Sequence, residues 1–92
     1  MARVTVELPS LLEVVTGGRR SYSVDADDLA GVLEELVAEC PKLHGHLFDE
    51  TGRFREHVLC FHNQTNARWL ESLSVPVRDG DVVTILQAVS GG

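Results

Sequence analysis

An α+β fold, one mixed sheet with a single main helix packed on one face, is what this sequence predicts, and three observations predict it. Val4, Val6 and Leu8 alternate with Arg3, Thr5 and Glu7, the period of a strand with one buried face. Leu29, Val32, Leu33, Leu36, Val37 and Cys40 recur at the offsets of one helix face. Val58 to His62 and Val82 to Leu86 are further β-rich runs, set off by turn residues at Asn63-Gln64-Thr65-Asn66 and Asp79-Gly80-Asp81. The chain has 92 residues, enough for one small domain with one thin core and too few for a deep, self-contained catalytic cleft.

The first strand is stopped by Pro9 and Ser10. Leu11 to Val15 is a looser apolar stretch, and Gly17-Gly18 supplies a turn into a second strand, Arg19 to Val24, with Tyr22 and Val24 on one face. Asp25, Asp27 and Asp28 precede the amphipathic helix, expected from about Asp27 to Cys40. Carboxylates there accept from free N–H groups and meet the positive end of the helix dipole, and Pro41 stops the helix. Gly31 costs about 1 kcal/mol relative to Ala inside a helix, so it marks a close helix-to-sheet approach. Lys42 to Phe48 is short enough for one further helical turn, and Asp49-Glu50-Thr51-Gly52 is a polar loop. After the third strand, Val58 to His62, the chain turns and returns through Ala67 to Trp69. Leu70 to Val77 is irregular, with Pro76 unsuited to a central strand. This order gives a ubiquitin-like β-grasp domain over residues 1–86 and a flexible C-terminal tail, 87–92, ending in Gly91-Gly92.

Eight Lys and Arg stand against fourteen Asp and Glu, a formal charge of -6, which argues against nucleic acid and anionic membrane surfaces as partners. No apolar run reaches the ~20 residues of a membrane span, and the first residues alternate like a strand rather than a signal peptide, so a cytoplasmic protein is expected. Cys40 and Cys60 lack a C-x-x-C spacing and read as buried small hydrophobes. Cys40, His44 and His46 do not match a zinc pattern, Gly17-Gly18 with Arg19-Arg20 does not sit between a strand and a helix start as a phosphate loop would, and capping explains the aspartates.

Two features point to partners. Val58 to Phe61 is apolar at every position, so if Val58 and Cys60 face the helix, Leu59 and Phe61 face outward; a covering loop and a docking patch both account for this. The chain also ends in two glycines after a strand. Without Cβ atoms they let backbone thread a narrow channel and leave the terminal carbonyl of Gly92 open to attack from either side. A carboxylate is a poor electrophile until transfer of AMP makes it a mixed anhydride that a sulfur nucleophile can attack.

Through the first strand, the helix from Leu29, Pro41, Asn63, Asp79-Gly80-Asp81 and the terminal Val89-Ser90-Gly91-Gly92, the whole chain resembles the ubiquitin-like sulfur carrier proteins of the MoaD and ThiS superfamily. Val4-Thr5-Val6, Pro9 with Leu12, Thr16-Gly17-Gly18 and Asp79 to Leu86 make it most similar to the CysO branch. It departs from that branch at His62, Gln87 and Ser90, where an aliphatic residue, proline and alanine are usual. The resemblance implies a protein co-substrate rather than an enzyme. Its Gly92 would be adenylated by an ATP-dependent enzyme related to the ubiquitin activators, converted to a thiocarboxylate, and used to donate sulfur. Ala88, Val89, Ser90 and Gly91, with Leu59 and Phe61, would meet the partners. No metal or cofactor would be bound by this chain, ATP being used by the activating partner. The implied acceptor in the CysO branch is a PLP-dependent cysteine synthase making cysteine. In the MoaD branch it is molybdopterin synthase and in the ThiS branch the thiamin thiazole. A ubiquitin-like modifier joined to lysines, and an interaction module with an inert tail, stay open beside these.

Overall fold

The computed structural model describes residues 1–87. In chain order it contains β1 (Ala2–Glu7), a 3₁₀ turn (Ser10–Leu12), α1 (Glu13–Thr16), β2 (Ser21–Ala26), α2 (Leu29–Glu39), α3 (Leu43–Leu47), β3 (Val58–His62), β4 (Thr65–Asn66), a second 3₁₀ turn (Ala67–Trp69) and β5 (Val82–Gln87). The sheet order is β2-β1-β5-β3-β4: β1 and β2 are antiparallel, β5 lies parallel to β1 and antiparallel to β3, and α2 covers one face. This is the mixed sheet with one main helix that the periodicities predict.

The core sits between α2 and that face. Val4 and Val6, Tyr22, Val24 and Ala26, Val58 and Cys60, and Val83 and Ile85 point inward from their strands against Leu29, Val32, Leu33 and Leu36. Every strand keeps its period of two, because a one-residue slip would turn its apolar side chains to the other face. Val37, expected in this contact, is only half-buried at the margin of the helix face. α2 begins at Leu29, not Asp27. Asp28 is its N-cap, with the carboxylate accepting from Gly31 N at 2.7 Å, while Leu29 N and Ala30 N donate to the carbonyls of Val75 and Leu73. The irregular stretch before β5 thus satisfies helix N–H groups that would otherwise lack partners. The other two aspartates do not cap: Asp25 pairs with Arg3, and Asp27 meets the Met1 amine at 3.7 Å. Gly31 does mark a close approach, since a Cβ there would stand 3.0 Å from Asp28 Oδ1 and 3.2 Å from Ala26 Cβ.

Other elements differ locally from expectation. Leu11 to Val15 is helical rather than loose, burying Leu12 and leaving Val14 91% exposed; Gly17, at φ +71, is the left-handed C-cap of α1. β2 is Ser21–Ala26, starting two residues later and ending two residues later than expected, and just before it Arg19 lies over the Tyr22 ring, 4.0 Å from its centroid, with Nε donating to the Ser21 carbonyl. The further helical turn is α3, which buries Leu43 and Leu47. The return strand is Thr65–Asn66, and Ala67 to Trp69 forms the 3₁₀ turn because Asn66 Oδ1 caps Arg68 N at 2.9 Å. Cys40 is half-buried rather than buried, its thiol 3.8 Å from the Val15 carbonyl. β5 includes Gln87, which pairs with Val58, so the strand runs one residue past the expected boundary.

Candidate functional site

On the sheet face away from α2, the register brings together side chains from distant parts of the chain. Leu59 of β3 stands opposite Leu86 of β5, and Phe61 opposite Thr84; Val82 and Thr84 continue the β5 row, with Thr5 of β1 beside Val82. Leu59, Phe61, Val82 and Thr84 are half-buried, and Leu86 is 42% exposed. No described helix covers this strip, so the expectation that Leu59 and Phe61 face outward holds, and neighbouring side chains shield each only in part. Toward β2 the face turns polar: the Arg3 guanidinium forks onto Asp25 at 2.9 and 3.1 Å and reaches Ser23 at 3.4 Å. An apolar strip with a charged margin is the ordinary anatomy of a protein-docking surface.

Leu86 is a member that reading the sequence missed. The alternation in Val82 to Leu86 would have set Leu86 opposite in face to Ile85, but that it meets Leu59 depends on a pairing no local pattern contains. Among the described residues, which stop at Gln87, the strip runs as far as Leu86. The expected thiocarboxylate residue Gly92, and Ala88, Val89, Ser90 and Gly91, lie outside the described residues.

At the opposite end of β5 a polar cluster joins two turns. Asp81 Oδ2 is 2.8 Å from His62 Nε2 and accepts from Arg78 N at 2.9 Å; Asp81 Oδ1 accepts from Asn63 Nδ2 at 3.2 Å. Asn63, in the left-handed region at φ +54, donates its N–H to the Val82 carbonyl and accepts Val82 N–H on Oδ1. His62 and Asp81 are each 17% exposed. The hydrogen bond from His62, then those from Arg78 and Asn63, hold the Asp81 carboxyl down at about 2, against an ordinary value of 3.8. The cluster fastens β3 to the start of β5. A carboxylate lowered in the fold stabilises the native state fully above its ordinary value, and that contribution is lost as pH falls from about 4 toward 2. Urea midpoints between those pH values should therefore fall more steeply for the wild type than for Asp81→Asn; parallel slopes would exclude this role.

The sulfur and imidazole groups are dispersed. Cys60 is 1% exposed, and burial pushes its thiol up to about 12, which leaves no nucleophilic thiolate near neutral pH. His44 and His46 are exposed on α3, and among the described residues no three His, Cys, Asp or Glu side chains stand together as a metal site.

A sequence model of the ThiS family matches residues 13–92. The chain is 36% identical over 91 residues to the sulfur carrier protein CysO of Mycobacterium tuberculosis, covering 97% of this chain and 98% of the relative. Among solved structures, CysO in the BexX/CysO complex of Amycolatopsis orientalis superposes with a TM-score of 0.83 at 28% identity, covering 97% of this chain and 99% of that one. The small archaeal modifier SAMP1 of Haloferax volcanii gives a TM-score of 0.83 at 26% identity, covering 99% of this chain and 100% of that one.

Proposed function

This chain belongs to the ThiS family, and from that membership we propose that it is a sulfur carrier of the CysO type: a protein co-substrate, not an enzyme, whose Gly92 carboxylate is adenylated and converted to a thiocarboxylate. The observation that carries this reading is the near full-length identity to a sulfur carrier protein, in a sequence that retains Gly91-Gly92. The chemistry takes place in the partner. An ATP-dependent activating enzyme transfers AMP to Gly92, releasing pyrophosphate; a sulfur nucleophile attacks the carbonyl carbon and expels AMP. The sulfur then passes to an acceptor enzyme, and the likeness to CysO favours a PLP-dependent cysteine synthase. Ala88 to Gly91 would thread the partner's channel, and the strip of Leu59, Phe61 and Leu86 would dock the carrier beside it.

The test is intact mass after incubation with the activating enzyme, ATP and sulfide, which should show one oxygen of the chain replaced by sulfur. Leu59→Glu should fold, because Leu59 lies on the outer face, yet weaken binding of the activating enzyme by about ten-fold or more, as loss of an interface anchor does. Unchanged affinity in a folded Leu59→Glu protein would remove the strip from the docking surface. The likeness to an archaeal modifier supports one second reading, an isopeptide bond to partner lysines. Adducts on lysine without sulfur uptake would establish it instead.

A further inference from the structure

The parallel ladder between β1 and β5 ends at Glu7 and Thr84. Beyond it, Ile85, Leu86 and Gln87 are paired, among the described strands, only with the opening of β3, through Cys60, Leu59 and Val58. The far edge of β3 is covered by β4 at Phe61 and His62 alone. Where β4 stops, Arg68 takes its place. Its Nη2 shares two N–H bonds among the backbone carbonyls of Arg55 at 2.7 Å, Glu56 at 3.1 Å and Val58 at 3.1 Å. The backbone bearing Arg68 is itself held, by Asn66 Oδ1 on Arg68 N and by buried Ala67. A planar guanidinium with several N–H groups in fixed directions can satisfy converging carbonyls in a way that a lysine ammonium on a flexible stem does not. Bonds from a charged donor are also stronger than neutral ones.

We propose that Arg68 is a positioning residue for the sulfur-bearing C-terminus: it holds the opening of β3, β3 holds the end of β5, and the point and direction at which the chain leaves Gln87 are thereby set for the partner. This deepens, and rests on, the sulfur-carrier reading. A looser root must be ordered when the partner binds, and that cost falls on association rather than on the chemical step.

Arg68→Ala and Arg68→Lys test it by two measurements. Amide hydrogen exchange should show protection at Leu59 and Leu86, a hydrogen-bonded pair of the β3–β5 ladder, reduced about ten-fold, the effect of losing roughly one net hydrogen bond, with Val4 and Val24 unchanged. In the sulfide-loading reaction the KM for the carrier should rise several-fold at constant kcat. Unchanged protection at the end of β5, an equal loss throughout the sheet, or an unchanged KM despite local loosening would each overturn the proposal. A lysine variant indistinguishable from wild type would overturn the guanidinium as the holding group. If the wild-type chain takes up no sulfur, the sulfur-carrier reading itself fails, while exchange still reports whether Arg68 secures β5.

Discussion

Removing Gly92 is expected to abolish thiocarboxylate formation completely while leaving the denaturation midpoint where it was. The two halves of that result have separate physical causes. On the proposed sulfur-carrier reading, the carboxylate oxygen that takes AMP and the carbonyl carbon that then takes sulfur both belong to Gly92, so its loss presents the activating enzyme with a terminus one residue short. Gly92 carries no side chain to bury, and the terminal residues of a domain contribute little to its core, so no loss of stability is expected from its removal. Gly91→Val should impair loading as well, because a β-branched side chain narrows the φ/ψ range and adds bulk where bare backbone must pass. Intact mass and a thermal melt on the same samples check both statements. Sulfur uptake by the shortened chain at the wild-type rate would exclude Gly92 as the carrier atom's residue.

Leu36→Ala is expected to destabilise the domain severely. Leu36 is fully buried, 0% exposed, on the face of α2 that meets the sheet, with Leu29, Val32 and Leu33 on the same face. Removing a buried leucine side chain costs roughly 2 to 5 kcal/mol, the lost transfer free energy plus the cavity left behind. Against a total of about 5 to 15 kcal/mol for a domain, that is a large fraction, and a chain this short has little surplus. A urea titration should show the midpoint falling by a corresponding share. A loss below about 0.5 kcal/mol, the range of an ordinary surface change, would mean that the helix is not seated on the sheet as described.

Much of the fold was legible locally. The alternation around Val4 and Val6 and the helical offsets from Leu29 to Cys40 each require only neighbouring residues to identify the buried face, and the side chains they named are buried except for Val37 and Cys40, which are half-buried at the margin. Pro41 marked the end of α2 and the aspartate cluster its start to within two residues, because stopping and capping are properties of a residue and its immediate backbone. What misled was also local. Asp25, Asp27 and Asp28 look alike in sequence, but Arg3 stands beside Asp25 across the β1–β2 ladder and the Met1 amine beside Asp27, so only Asp28 was left to the helix. Leu11 to Val15 lacks the length for a clear helical period, and Gly17, whose left-handed backbone would equally suit a turn between strands, closes a helix instead.

The site divides along the same line. That the chain carries Gly91-Gly92, that Leu59 and Phe61 belong to a strand apolar on both sides, and that the acidic charge disfavours nucleic acid were determined by the sequence alone, because each is a matter of residue identity and short spacing. The tertiary structure decided that β5 inserts between β1 and β3, that Leu86 therefore completes the strip with Leu59, and that the Arg68 guanidinium stands in for the missing length of β4. Those contacts join segments whose separation in sequence carries no periodic signal. Strand order and register arise only when the whole sheet buries one face at once, and a pairing fixed by that collective requirement is not written at either of the positions it joins.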